Sequence, residues 1–405
     1  MRKIRNFVLC MKIKNKILLI AAFAILSVIT VNAKMWVAVG KDATNTGAVT
    51  VACSEDNSEW QGYFNTNVAG LTVIWTEALQ MGGIKSDPEF SAEQLSLRIL
   101  DSAESCREAI FKLSDILENA PVGSTYATLS VADDKEAWIF EYAGKGKESG
   151  AVWAAVRVPD NKAAVFTGAA LIHKLPEKDL RNCLYSLDIQ DYARKSGKFA
   201  GSDAEFDFAK VFAPKSYLSG FDAGQIYNTL RISNVESNLW GMPSMRISCY
   251  DLRKALRIYE NSLAKYSFIV ESNGSKPDYL KTLTYFALGN PNISTFIPLF
   301  RAIKKIPEEI GSESVQSSLD LLSKTLEVAN GFVVAKDALR EMQLMLEDSI
   351  AVDVAVAYEQ LPDFNDEEIA VELLQDLADI WAKSVKTNYV NYCRDYKLKV
   401  EQDKE

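Results

Sequence analysis

Side chains able to do chemistry are few in this chain and stand far apart. Its 405 residues hold one histidine, His173. That excludes histidine-based metal clusters and leaves a single imidazole as a potential base; a side chain near a strand end is the plainer reading of it. The six cysteines, Cys10, Cys53, Cys106, Cys183, Cys249 and Cys393, show no Cys-x-x-Cys spacing. No metal site, disulfide scaffold or cofactor is therefore expected. The most suggestive stretch is residues 34–56, which reads as two short strands around a polar loop and begins where a secretory signal would be cut. Chemistry at a newly made N-terminus needs a Cys, Ser or Thr there. The free α-amine, with a reference pKa of about 7.7–8.0, can take the nucleophile's proton, so no histidine is required. Here the first residue would be Lys34.

The elements that would position these groups follow from local pattern. Residues 1–33 carry six Lys/Arg and no acid, then the apolar run 17–31 and Val31-Asn32-Ala33, the three parts of a signal peptide cut after Ala33. The 15-residue run is short for a membrane span of about 20, and an uncleaved anchor is the alternative. Val, Trp and Thr favour strand on either side of Asn45-Thr46-Gly47. Pairing Gly40 with Gly47 would set Lys34 opposite Cys53. Residues 70–78 read as a buried strand and 91–119 as one helix with a Ser91–Gln94 capping box. Strands are expected at 126–132, 137–142, 152–158 and 162–172. Helices are expected at 180–196, 207–212, 223–232 and 251–266, a return to the sheet at 279–288, and a helical tail at 314–358 and 366–400. Strands mixed with a long helix suggest layered sheets and helices.

Short motifs then recur in a definite order. Val39-Gly40-Lys41-Asp42-Ala43-Thr44 leads to Ala52-Cys53-Ser54-Glu55-Asp56, Gly70-Leu71-Thr72-Val73 and Thr76-Glu77. Glu136-Ala137-Trp138-Ile139-Phe140-Glu141 precedes Trp153-Ala154-Ala155-Val156-Arg157-Val158-Pro159-Asp160, and Phe286-Ala287-Leu288-Gly289-Asn290-Pro291 comes later. This order resembles the secreted dipeptidase family of cysteine-type N-terminal-nucleophile (Ntn) peptidases, relatives of the penicillin and bile-salt acylases. The resemblance implies an α+β fold, the Ntn-hydrolase-like αββα sandwich, over residues 34–310, with a helical C-terminal region 311–405 packed on it. It also implies hydrolysis of dipeptides by an N-terminal Cys. The departures fall at the reacting positions. Lys34 matches the nucleophile, Cys53 matches an Arg that organises the site, and Thr167-Gly168-Ala169 matches the segment whose Asn serves the oxyanion.

Three readings follow. In the first, the protein is an exported, catalytically impaired dipeptidase homologue that binds a dipeptide or small amide, with Glu55, Asp56 and Glu77 as acids for a cationic terminus. In the second, it is an active amidohydrolase with relocated chemistry, in which cations near Cys53 create a thiolate. In the third, it is a non-catalytic protein that uses its helical tail for interaction. The formal charge is −9 overall and −15 once residues 1–33 are set aside (39 basic against 54 acidic). Such a body is poorly suited to nucleic acid or anionic membrane, so after signal removal a periplasmic or extracellular protein without membrane contact is expected.

Overall fold

In the computed structural model the opening hairpin forms as expected, but its register does not. The structure describes residues 34–55, 65–79, 90–176, 179–215, 223–236, 239–258, 264–328, 333–364 and 366–395. The expected signal segment 1–33 and Asp56 lie outside the described residues. In chain order the strands are β1 (Met35–Val39), β2 (Val49–Glu55), β3 (Thr72–Leu79), β4 (Thr125–Ala132), β5 (Ala137–Gly144), β6 (Ala151–Arg157), β7 (Ala163–Phe166), β8 (Cys183–Tyr185), β9 (Ile232–Glu236), β10 (Trp240–Pro243), β11 (Tyr266–Ser272), β12 (Thr282–Leu288) and β13 (Ile297–Phe300). The helices are α1 (Ala92–Ser102), α2 (Cys106–Asn119), α3 (Ile189–Lys195), α4 (Phe208–Phe212), α5 (Gly224–Thr229), α6 (Cys249–Ile258), α7 (Asp278–Lys281), α8 (Glu313–Val328), α9 (Val333–Gln360) and α10 (Glu367–Asp395).

Two antiparallel sheets result, ordered β13-β12-β11-β2-β1-β7-β10-β9 and β3-β4-β5-β6-β8. Met35 pairs with Ser54 and Trp36 with Cys53. Lys34 therefore falls opposite Glu55, and the expected Lys34–Cys53 pairing is corrected by two residues. The reason is the loop. Instead of a tight turn at Gly47, the chain makes a 3-10 turn at Lys41–Ala43 and begins pairing again at Val49.

That loop is fastened on several sides by its backbone. Gly40 N–H donates to Lys162 O (2.9 Å), Asp42 N–H to Asp160 O (2.8 Å) and Ile247 N–H to Ala43 O (2.7 Å). The φ of Gly40 is an ordinary −67°, so space and not conformation requires the glycine. An added Cβ would stand 2.5 Å from Asp160 O and closer still to Pro159 O. The Val39–Thr44 motif thus belongs to the end of β1 remote from Lys34.

Alternating residues divide between two apolar cores. Trp36, Cys53, Phe166 and Phe268 of the larger sheet share a core with Ile74, Tyr126, Ile139 and Val156 of the smaller. The other face of the smaller sheet, including Trp75, Phe140 and Trp153, packs with Leu95, Ile99, Ile110 and Leu113 of α1 and α2. On the larger sheet, α6 lies against β2 and β11, while α9 and α10 lie against β13. The architecture is α+β.

The remaining differences from expectation are local. The helix expected over 91–119 is two helices, because Ala103 is extended (φ −112°, ψ 146°) and the Ser105 side chain caps α2 by accepting from Glu108 N–H. Residues 180–196 yield β8 and only a short α3, and 162–172 yields the four-residue β7. A central strand, β11, stands directly after the expected helix 251–266 and pairs with β2 and β12 along seven residues each. The tail holds three long helices in place of two. None of the described cysteines forms a disulfide, and among the described residues no helix is long and apolar enough to cross a membrane.

Candidate active site

Strand pairing brings Lys34, Cys53 and Glu55 together at one end of β2 and β1, beside the end of β7 that leads into Thr167 and Gly168. Lys34 stands just ahead of β1, and its Nζ lies 2.6 Å from Glu55 Oε2; the two side chains are 3% and 0% exposed. The ammonium also sits 4.2 Å from the centroid of the Trp75 ring, a cation–π contact across to the smaller sheet. On the other side of Glu55 the register places Tyr266. Burial, with the nearby Glu55 and Cys53, pushes the Tyr266 phenol well above its usual value.

The β1–β7 register (Trp36 opposite Phe166) carried two residues onward sets Gly168 opposite Lys34, with Thr167 beside it. Gly168 has φ +93°, the left-handed region that glycine tolerates, so the chain turns there, two residues past the end of β7, without strain. Thr167 is buried. Lys34 and Glu55 are therefore partners across the β1–β2 ladder, and Thr167–Gly168 follows directly on the last β1–β7 pair, Trp36 with Phe166. Cys53 points to the same face two residues from Glu55, opposite both Trp36 and Phe268, and is fully buried in the inter-sheet core.

The strap beyond Gly168 is held by Glu141 of β5. Its Oε1 accepts from Leu171 N–H (2.8 Å) and the Thr128 hydroxyl (3.0 Å). Its Oε2 accepts from Ile172 N–H (3.0 Å) and the Tyr126 hydroxyl (2.7 Å). Burial pushes this carboxyl above its usual range, while those four donors pull it back. Glu141 was not singled out as a site residue, although an acid at an inward position of the otherwise apolar Trp138–Ala143 run was a readable signal. Trp75 carried no such signal, because its contact with Lys34 joins two sheets.

Glu77 lies elsewhere, at the start of α1, where its Oε2 accepts from Ala92 N–H at 2.9 Å. A carboxylate there complements the helix dipole. Burial raises its pKa, the Ala92 bond opposes that shift, and Glu93 adds to it. His173 Nδ1 sits 2.9 Å from Asp207 Oδ1. Burial works against the Asp207 carboxylate but is outweighed by the Lys210 amide and by His173, leaving its pKa lowered. His173 is thus one half of a surface-side pair, and its backbone carbonyl accepts from Phe208 N–H (2.8 Å).

Chemically, the end of β1 presents a sealed ammonium–carboxylate pair roofed by an indole, in a two-sheet α+β protein. Comparison with known proteins agrees with the motif order. Residues 65–246 match the family model described as Peptidase family C69. A "Probable dipeptidase" of Salmonella dublin is 21% identical over 290 residues, covering 62% of this chain and 65% of that protein. A "Probable dipeptidase B" of Streptococcus pyogenes serotype M1 is 23% identical over 227 residues, covering 53% of this chain and 44% of its own length. Residues 65–246 are thus similar to peptidase family C69, and the relatives that the chain resembles are named as probable dipeptidases. The chain spans less than two thirds of the relatives it matches, and the matched family region begins after the hairpin that carries Lys34 and Glu55.

Proposed function

We propose that this chain is an exported dipeptidase-family protein, built on the Ntn αββα sandwich, in which hydrolysis is lost because Lys34 occupies the position of the nucleophile. The observation that carries this reading is the 2.6 Å Lys34–Glu55 contact, sealed on both sides. An ammonium has no lone pair for a carbonyl carbon, and an acyl-lysine would itself be an amide that does not turn over. The family's oxyanion Asn is matched by Thr167–Gly168, and loss of one oxyanion donor alone costs about 10²–10³ in rate. A dipeptide or small amide is the ligand class the family suggests, bound without cleavage. Glu55 is engaged by Lys34 and Glu77 by the start of α1, so any cationic terminus would be met by other groups.

The relocated-thiol reading requires an accessible Cys53, whereas this residue is packed between Trp36 and Phe268. The exposed Met345, Val352 and Val356 on α9, with Ile369, Leu373 and Ile380 on α10, favour a second reading, an interaction protein that uses its helical tail.

Dipeptide hydrolysis by the wild type, by Lys34→Cys/Glu55→Gln and by Cys53→Ala decides among them, together with the mature N-terminus by mass spectrometry. We expect an inactive wild type and a mature chain beginning at Lys34. Robust wild-type turnover that survives Cys53→Ala would sink both the impaired-enzyme and the relocated-thiol readings. Turnover gained in the double variant would show that the nucleophile was the missing part.

A further inference from the structure

The helical tail keeps an apolar face open to solvent. Met345, Val352 and Val356 of α9 and Ile369, Leu373 and Ile380 of α10 are exposed, with Met345 and Ile380 reaching 74% and 61%. Spacings of four and seven residues place each trio along one line of its helix. The opposite line of each helix is the buried one, with Ile350, Val354 and Ala357 in α9 and Ala370, Leu374 and Ala378 in α10. Both helices rest on β13, and Trp381 of α10 donates through Nε1 to Asp353 Oδ2 of α9 at 2.9 Å. The two exposed lines therefore run on adjoining helices, turned away from the sheet. Apolar residues exposed singly are ordinary, whereas an apolar face of this kind marks an interaction site.

The charge of this face is one-sided. Between Arg340 and Lys383 the chain holds twelve Asp and Glu and no Lys or Arg. Glu347 is turned inward, 2.5 Å from Arg257 Nη2. Glu341 and Asp348 on α9, and Glu372 and Asp376 on α10, are exposed. Each stands three or four residues from an exposed apolar residue of its own helix, and is thus its neighbour on the surface. Lys304 meets Glu372 at 3.3 Å, with both side chains more than half exposed, so that pair is a solvated one. A second copy docking face to face would set acid against acid, and an anionic lipid surface would be repelled.

We propose that this face binds a cationic amphipathic helix of another protein. Its apolar line would lie on those of α9 and α10, and its Lys and Arg would meet the flanking acids. Amphipathic helices dock in this way through anchors spaced three, four and seven residues apart, and complementary charge speeds and selects the encounter. This inference rests on the helical-tail reading, for which it names the partner. It does not depend on whether the protein hydrolyses dipeptides.

Fluorescence anisotropy with the full chain tests it, the probe being a labelled synthetic amphipathic helix of leucine and lysine. Two peptides of equal length serve as comparisons, one with serine for every leucine and one with glutamate for every lysine. The leucine–lysine peptide should bind saturably and lose affinity as salt is added, and the other two should bind about tenfold more weakly or less. Leu373→Ser/Ile380→Ser should weaken binding about tenfold. Leu187→Ser, at a fully exposed leucine outside the tail, should leave it unchanged. Absence of saturable binding, equal binding by the double variant, or equal binding of the serine–lysine peptide would each overturn the proposal. Sedimentation equilibrium of the chain alone separates its failure from that of the tail reading. A monomer is expected, whereas a dimer that dissociates in Leu373→Ser/Ile380→Ser would keep the surface, make a second copy its occupant and overturn the cationic helix.

Discussion

The two ends of the β1–β2 hairpin are built on different principles. At the loop end, backbone meets backbone. Gly40, Asp42 and Ala43 bond to residues 160, 162 and 247, and the absence of a side chain at Gly40 allows the approach. At the Lys34 end, side chains meet side chains, and two opposite charges lie in a dry, aromatic-lined corner. The loop end carries the motif-like run Val39–Thr44, yet it contains none of the positions that the sequence comparison placed at the reaction. Motif density in this chain therefore reports scaffold, while chemistry was to be read from single positions such as Lys34.

The contrast can be broken most sharply at the charged end. Lys34→Met would leave Glu55 buried and uncompensated, for a loss of about 3–5 kcal/mol, whereas Lys34→Met/Glu55→Leu should recover most of it, because an apolar pair of similar volume is often neutral or better. Urea unfolding of the three proteins reads this directly. A double variant no more stable than the single one would mean that the pair is not the element that matters there.

At the loop end, Gly40→Ala should lose upwards of about 3 kcal/mol through overpacking against fixed carbonyls, with no rescue by any change at Lys34. If Gly40→Ala were tolerated, the backbone fastening would be looser than its geometry.

A smaller, pH-dependent effect separates the ends further. Glu271 meets the loop through Thr46 and faces Arg253 and Cys249 of α6, Tyr285 of β12 and Tyr358 of α9. Burial raises its carboxyl from 4.5 to about 7, so the folded state holds a proton that the unfolded state releases. The associated stability, up to roughly 3 kcal/mol, is complete below about pH 4.5 and lost as pH rises through about 7. Glu271→Gln should flatten the stability profile over that interval in pH-resolved denaturation. A wild-type profile that rises through it would contradict the assignment.

Much of the scaffold was legible because its signals are local. β4, β5 and β6 follow from alternation and turn residues, and α1 from its Ser91 capping box. β11 was missed because its partners β2 and β12 are defined only by the fold, and its apolar run continues from a helical segment without a breaker. The site was half legible. Lys34, Glu55, Thr167 and Gly168 were each identified, but the pairing of Lys34 with Glu55 was hidden by a register taken from turn residues alone. A 3-10 turn inside the loop shifts that register by two, and nothing in Asn45-Thr46-Gly47 reveals it.

The position of β1–β2 in the middle of the larger sheet also sets the order in which the protein can be assembled. Ser54 of β2 pairs with Ser267 of β11, roughly 210 residues later in the chain, and β1 waits for β7. As the chain is made, this hairpin keeps its β1 edge open until β7 has followed and its β2 edge open until β11 has. Such non-local pairing slows folding and leaves unpaired strand edges prone to wrong partners. The β1–β2 hairpin is thus completed only when much later strands have been made, and until then its edges stay open to other partners.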